Sequence, residues 1–227
     1  MPVQILILIA VGVASLLWGK SLAKAWDKIV EAFKGKRVAV LGARGVGKTH
    51  LIKFLTSGSI PAEYKQTVLP EKAPGRWLQL KDLDLKLRDT LDVSGDKAAY
   101  AEWKELHDRS DVVFYLLRAD RLIQGDGKVE SRVSDDLHHI GSWLDARRSS
   151  RPQFFIIGTH CDLDREFRTL TADKVGDYVD KFRKLPIICE LVARGGGAHQ
   201  AKVVLGSMAT LHDTELLVYQ VFMQVIS

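Results

Sequence analysis

Hydrophobic and polar positions alternate in blocks along the chain after residue 36, and these blocks predict strands and helices in turn. Short apolar runs are typical of strands buried on both faces, and four stand out: RVAVLG (37–42), VVFYLL (112–117), FFIIG (154–158) and KVVLG (202–206). Apolar residues at helical spacing lie between and after them, at about 48–56, 98–109, 130–147, 172–194 and in a final segment ending at Val225. This alternation predicts one α/β domain over residues 36–227, with a mostly parallel sheet and helices on both faces.

Two more strand-like stretches, WLQLKDL (77–83) and LKLRDTLDV (85–93), follow a loop rich in Gly, Pro and Ser and are predicted to pair as a hairpin. They bring the predicted sheet to six strands. Ligands of such sheets bind at the carboxyl ends of the strands, so the loops that follow strands are where chemistry is expected.

The N-terminus has a different pattern, because residues 3–18 contain no charged side chain. As a helix this run is roughly 24 Å long, and Lys20 and Lys24 can extend toward the headgroups beyond it. We predict a single transmembrane anchor over residues 1–19. The alternatives are a cleaved signal peptide, although no basic region precedes the apolar run, or a buried core helix.

Residues 20–35 predict a basic amphipathic helix that either lies on the membrane surface or continues the anchor and packs on the domain. Six of the Lys and Arg residues lie within 20–37 against two acidic residues, so the net charge of +5 is concentrated there. Basic residues that follow a membrane span are typical of the cytoplasmic side, so we expect the domain to lie there. Because the positive charge is not spread over the domain, nucleic acid is not expected as a partner. The two cysteines favour a reducing compartment.

The motif GARGVGKTH (42–50) directly follows a predicted strand and opens a predicted helix, as a phosphate loop requires. Its glycines let backbone amides turn toward phosphate oxygens, Lys48 supplies a cation, and the Thr49 hydroxyl suits magnesium. The candidate nucleotide-binding residues here are Gly42, Arg44, Gly45, Val46, Gly47, Lys48, Thr49 and His50.

Three later loops also follow predicted strands and suggest a guanine nucleotide. In DVSG (92–95), Asp92 can reach magnesium through water and the Gly95 amide can meet a γ-phosphate. In THCD (159–162), the Asp162 carboxylate can accept two hydrogen bonds from the guanine edge, and in GSMA (206–209) backbone amides can meet the guanine oxygen. The candidate base-binding residues are Thr159, His160, Asp162, Ser207 and Met208.

With these motifs, residues 36–226 resemble the Ras-like small GTPases of the phosphate-loop superfamily, and an anchored domain of this kind is similar in architecture to signal-recognition-particle receptor β subunits. The resemblance implies GTP or GDP with Mg²⁺ as ligands. It also implies that Thr67, with Thr56 as an alternative, binds magnesium beside Thr49 and Asp92, and that the loops at Thr67 and Gly95 relax when the γ-phosphate leaves.

Several positions depart from the pattern of that family. His160 stands where a lysine stem usually covers the base, and Met208 stands where alanine is usual. Asp96 occupies the position of the glutamine that orients the attacking water, so slow intrinsic hydrolysis is expected. Arg44 replaces a glycine; it blocks the space for water, lies on the phosphates, or points to solvent. The candidate catalytic residues are Arg44, Lys48, Thr67, Gly95 and Asp96.

Three functions are compatible with these residues: a GTPase switch, a docking platform that holds GTP without hydrolysing it, and an ATP-dependent enzyme such as a small-molecule kinase, which THCD disfavours. The expected partners are the membrane and an effector that contacts the switch loops, together with a GTPase-activating protein or a second GTPase domain. The stretch VARGGGAHQ (192–200) predicts an extra helix end with a loop near the base pocket, or a plain connection.

Overall fold

A computed structural model of the chain describes residues 36–57, 86–87, 99–147, 150–171 and 173–226. The predicted anchor (1–19) and the predicted amphipathic helix (20–35) lie outside these ranges. In the part of the chain that is described, no helix has both the length and the apolar character needed to cross a membrane.

The described residues contain one sheet of five strands in the order β2-β1-β3-β4-β5, and every neighbouring pair is parallel. The strands are β1 (Arg37–Gly42), β2 (Lys86–Leu87), β3 (Val112–Arg118), β4 (Gln153–Thr159) and β5 (Ala201–Leu205). The prediction of a parallel α/β sheet is therefore confirmed. Its strand number is not, because five strands are described rather than six; the first strand of the predicted hairpin (77–83) lies outside the described residues.

Eight α-helices are described: α1 (Lys48–Ser57), α2 (Ala99–Asp108), α3 (Ala119–Ile123), α4 (Gly127–Ala146), α5 (Arg165–Arg168), α6 (Val175–Arg183), α7 (Pro186–Arg194) and α8 (Leu211–Ile226). A short 3₁₀ helix spans Cys161–Leu163. The helical region predicted over 172–194 is divided into α6 and α7. Pro186 is the cause, since proline has no N–H to continue a helix yet suits the first position of a new one.

The alternation of side chains along β3 shows how both faces of the sheet are covered. Val113, Tyr115 and Leu117 belong to an apolar cluster with side chains of α2, α4, α6 and α7. Phe114 and Leu116 belong to a second cluster, with α1 and α8. Helices on both faces explain why the strands are apolar at consecutive positions, which is the feature that identified them in the sequence.

The amino ends of the strands form the edge at which the chain enters the sheet. The backbone N–H and guanidinium of Arg37 donate to the carboxylate of Asp111 over 2.8–3.1 Å, which fixes the start of β1 beside β3. Gly196 and Gly197 also lie at this edge, in left-handed turns with φ of +104° and +78°. The prediction that their loop lies near the base pocket is wrong, because the loop precedes β5 and the residues before a parallel strand lie opposite the ligand edge.

A buried carboxylate connects α2, β3 and α4. Asp136 has no exposed surface. Its Oδ1 accepts hydrogen bonds from the Tyr100 hydroxyl and the Arg132 Nε, both at 2.8 Å, and its Oδ2 accepts one from the Tyr115 hydroxyl at 2.9 Å. Burial raises the pKa of the Asp136 carboxyl, while Arg132 and the two hydroxyls act in the opposite direction. Three donors allow this polar group to lie between helices without being left unsatisfied.

Replacing Asp136 with asparagine keeps the shape of the side chain but removes the charge that Arg132 faces. The Arg132 side chain is 24% exposed, so water screens its charge, and the main effect is that the asparagine amide replaces one acceptor oxygen with a donor. We expect a loss of about 1–3 kcal/mol in the free energy of unfolding. Urea denaturation measures it. Asp135→Asn is the matched control, because Asp135 is the exposed neighbour on the same helix, and its effect should stay within about 0.5 kcal/mol. Equal effects of the two substitutions would contradict the role given to Asp136.

Candidate nucleotide site

The candidate site lies at the carboxyl edge of the sheet, where β1, β3, β4 and β5 end. β1 lies between β2 and β3, so the chain leaves it toward β2 on one side and later returns to build β3 on the other. Such a reversal of strand order opens a crevice in which ligands of parallel sheets bind. The loop from Gly42 to Gly47 occupies this position and leads into α1.

The backbone of this loop depends on glycine at three positions. Gly42, Gly45 and Gly47 have φ values of +140°, +77° and +94°, a region that other residues rarely adopt. A Cβ at Gly42 would lie 2.3 Å from the carbonyl oxygen of Leu116, so the loop leaves the sheet in direct contact with β3. Around Gly45, in contrast, a Cβ would meet no atom within 4 Å. The loop is thus packed against the domain at its ends and open at its middle, which fits a cradle for a phosphate group.

The side chains of the loop differ in exposure. Lys48 is buried, with its Nζ donating to the carbonyl oxygen of Ala43 at 2.8 Å, so the ammonium group is turned into the loop. Arg44 and Thr49 are exposed, and His50 is half-buried. Val46 is buried in the core cluster between the sheet, α1 and α8.

Thr159, at the end of β4, has a completely buried side chain. Its Oγ1 lies 3.0 Å from the carbonyl oxygen of Val46 and 3.1 Å from that of Leu117, and its proton can be shared between them. The hydroxyl therefore joins the end of β4 to the loop of residues 42–47 and to β3. The sequence suggested Thr159 for base recognition, but this side chain faces the phosphate loop.

His160 is the only described residue other than glycine with positive φ, at 61°. Its Nδ1 lies 2.8 Å from Thr159 Oγ1. Since the threonine proton is directed to carbonyl groups, Nδ1 is assigned as the donor, which leaves Nε2 as an acceptor. Burial lowers the pKa of His160 and the nearby Arg118 lowers it further, while Asp120 and Asp162 raise it by less, so the neutral ring is favoured.

Asp162 and Ser207 come from two loops that the sequence placed at separate strand ends, and the structure brings them together. The Ser207 hydroxyl donates to Asp162 Oδ1 at 2.7 Å and accepts from the N–H of Ala209 at 3.0 Å. The Cys161 N–H also donates to the carbonyl oxygen of Gly206 at 3.2 Å. The two loops therefore form one unit, and Asp162 Oδ2 is left as the oxygen that the serine does not use.

An ion pair beside His160 was missed by the sequence analysis. Arg118 donates to both carboxylate oxygens of Asp120, at 2.8 and 2.6 Å, and the Asp120 side chain is only 3% exposed. Arg118 lowers the pKa of His160 and Asp120 raises it. The sequence could have indicated this ion pair, because LLRAD (116–120) places an arginine and an aspartate at the carboxyl end of an apolar strand.

Four predicted residues, Thr67, Asp92, Gly95 and Asp96, lie outside the described residues. Of the predicted magnesium ligands, the structure places Thr49 at the start of α1 and Thr56, the alternative to Thr67, near the end of the same helix. Within the described ranges, no group of three or more His, Cys, Asp or Glu side chains is arranged to hold a metal ion. Thr49 is exposed and lies next to Lys48 at the start of α1, and its role as a magnesium ligand stays a prediction.

No family model matches the chain, and no curated protein matches it. Solved structures that are similar to it include the following two. The first is an ADP-ribosylation-factor-like GTP-binding protein, the small COPII coat GTPase SAR1 of Encephalitozoon cuniculi in complex with GDP, with 13% identity and a TM-score of 0.48 over 91% of this chain and 86% of that one. The second is a glycine-to-proline variant of a protein named SsGBP, with 15% identity and a TM-score of 0.48 over 98% of this chain and 68% of that one. The proposals below rest on the residues and contacts of this chain itself.

The lowered pKa of His160 predicts how stability depends on pH. Below about pH 6.5 the unfolded chain takes up a proton at this residue while the folded chain does not, so stability falls as the pH falls below that value and is complete above it. His160→Asn tolerates the left-handed backbone and should make stability less dependent on pH between 7.5 and 5. Thermal melting across this range measures the slope. The exposed His138→Asn is the control, and an unchanged slope in His160→Asn would contradict the prediction.

Proposed function

We propose that this chain is a small GTP-binding protein that acts as a membrane-anchored molecular switch. The single observation that carries the proposal is the union of two half-sites at one edge of the sheet. One half-site is the glycine-rich loop of residues 42–47 with the buried Lys48, and the other is the hydrogen-bonded pair of Asp162 and Ser207. Thr159 joins the first to the strand that carries the second. A phosphate site and a base site in this relation suit a nucleotide.

In this proposal each part of the site has a defined task. Amides of the loop from Gly42 to Gly47 and the Lys48 ammonium group bind the phosphates, and Thr49 binds Mg²⁺ with Asp92 and Thr67. Asp162 accepts hydrogen bonds from the guanine edge, and the neutral ring of His160 covers one face of the base. The Gly95 amide contacts the γ-phosphate, so the loops at Thr67 and Gly95 change when it is lost.

Hydrolysis is proposed to be slow or assisted by a partner. An ionised carboxylate at Asp96 repels the triphosphate and does not donate a hydrogen bond to the attacking water. The exposed Arg44 extends from the open middle of the phosphate loop, where a guanidinium can contact phosphates or exclude a partner's arginine. These two residues also favour the second candidate, a docking protein that retains GTP without hydrolysing it.

The proposed location is a membrane, with residues 1–19 as a single span and the domain in the cytoplasm. The proposed partners are an effector that contacts the switch loops, and a GTPase-activating protein or a second GTPase domain. Nucleic acid is not proposed as a partner, because the positive charge is concentrated in 20–37 rather than over the domain.

The guanine assignment is tested with Asp162→Asn. Asparagine keeps an oxygen for the Ser207 hydroxyl, so the two loops stay joined, but it replaces the other carboxylate oxygen with a donor that faces the N–H groups of guanine. We expect the ratio of the GTP affinity to the ATP affinity to fall by about tenfold or more. Equilibrium binding of both nucleotides to the full chain in detergent, with Mg²⁺, measures this preference.

Asp177→Asn, an exposed position on α6, is the matched control and should bind as the wild type does. A preference for GTP that survives Asp162→Asn would refute guanine recognition by this residue. Wild-type binding of ATP in place of GTP would favour the ATP-dependent enzyme.

Single-turnover hydrolysis of GTP by the wild-type chain separates the switch from the docking platform, and Arg44→Gly tests the role of Arg44 in that reaction. If Arg44 acts on the phosphates, its removal should change the single-turnover rate of GTP hydrolysis by about tenfold or more while GDP affinity stays within a few fold. The direction is informative, since a faster rate means that the arginine excludes water and a slower rate means that it stabilises charge. Arg121→Gly, an exposed arginine on α3, is the control. Unchanged turnover and affinity would show that Arg44 has no functional role.

A further inference from the structure

The side chain of Met208 fills the space between the last loop and the phosphate loop. Met208 is 8% exposed and belongs to the apolar cluster that contains Val46. A Cβ built on Gly47 would lie 2.3 Å from the Met208 Cε and 3.8 Å from its Sδ. The tip of the thioether therefore lies directly against the backbone of Gly47, one residue before Lys48.

Met208 contacts the phosphate loop at Gly47, a residue whose backbone has high conformational freedom when it is not ordered. Gly47 has φ of +94°, and glycine loses more backbone entropy on becoming ordered than any other residue. The preceding residue is already fixed, because Val46 is buried and its carbonyl oxygen accepts the Thr159 hydroxyl. The carbonyl oxygen of Gly47 accepts from the Leu51 N–H of α1 at 3.0 Å, and Met208 adds a side-chain contact to this residue.

The same segment also holds the base-recognition residue. Ser207 precedes Met208 and donates to Asp162, while Ala209 follows it and donates its N–H to Ser207. Residues 207 and 208 therefore contact the two half-sites from adjacent positions of one loop. A displacement of this loop moves both contacts together.

We propose that Met208 is a positioning residue that couples the base loop to the phosphate loop and so slows nucleotide release. This inference rests on the proposed function. The family resemblance assigns position 208 only a backbone contact with the base, so the side-chain contact with Gly47 is an additional role. By holding Gly47 in its binding conformation before the ligand arrives, the methionine lowers the entropy lost on binding.

Met208→Ala removes the three side-chain atoms beyond Cβ and leaves a gap beside Gly47. We expect GDP to dissociate about tenfold faster. GTP should be affected to the same extent, because the contact is made to the loop rather than to the γ-phosphate. The preference for guanine should stay unchanged, since Asp162 keeps its bond to Ser207. Met208→Leu keeps most of the volume and should restore slow release.

Met223→Ala is the matched control. Met223 is partly buried against the same apolar cluster but lies near the far end of α8, so the same atoms are removed away from the phosphate loop. Met208→Val is a second variant that keeps bulk near the backbone but does not reach Gly47, and it should release GDP at an intermediate rate. It keeps the test available if Met208→Ala does not fold.

The experiment displaces a fluorescent GDP analogue with excess unlabelled GDP from the full chain in detergent, and thermal melting of each variant reports stability. Fast release from Met208→Ala, with wild-type rates for Met208→Leu and Met223→Ala, supports the proposal. Equal release from Met208→Ala and Met223→Ala overturns it and makes Met208 only a core residue. A wild-type chain that binds no guanine nucleotide overturns the proposed function and this inference with it, whereas a binding chain with unaltered Met208→Ala release overturns this inference alone.

Discussion

The buried hydroxyl of Thr159 is the contact on which the geometry of the site depends. It lies between the carbonyl oxygens of Val46 and Leu117 and beside the ring of His160. One small polar group thus determines where the phosphate loop meets β3 and how the imidazole is oriented. Because it has no exposed surface, water does not compete for these bonds, and an unsatisfied hydroxyl at this position would be costly. The rest of the carboxyl edge is arranged around this point.

The elements that the sequence predicted well are those whose physics is local. The strand RVAVLG and the glycine-rich turn after it specify each other, because a buried parallel strand needs apolar side chains and the turn needs positive φ at Gly42, Gly45 and Gly47. The break between α6 and α7 also has a local cause, which is Pro186. The sequence analysis did not predict the break, because apolar residues at helical spacing continue on both sides of the proline. Gly196 and Gly197 were predicted near the base pocket but lie at the amino ends of the strands. Distance along the chain from Asp162 does not show at which end of the strands a loop lies.

Other features depend on which side chains meet across the fold. Asp136 joins two helices and a strand through its contacts with Tyr100, Arg132 and Tyr115. The spacing of these residues in the sequence does not predict that they meet. Asp120 is similar, since an acidic residue after a strand is usually a turn or cap residue, and only burial beside Arg118 distinguishes it. The contact of Met208 with Gly47 is a third example, because the sequence showed the unusual residue but not the space that it fills.

The pairing of Arg37 with Asp111 has a mechanical consequence. It fixes the start of β1 at the amino ends of the strands, opposite the site and about 17 Å from Gly42 along the strand. A pulling force applied at Arg37 along the direction of β1 would act on this strand first. The ladder of β1 and β3, from Val38 opposite Val112 to Gly42 opposite Leu116, then bears this load in shear, with its hydrogen bonds loaded together rather than one after another. Tension at the start of the domain is absorbed by the sheet before it reaches the loop at the other end.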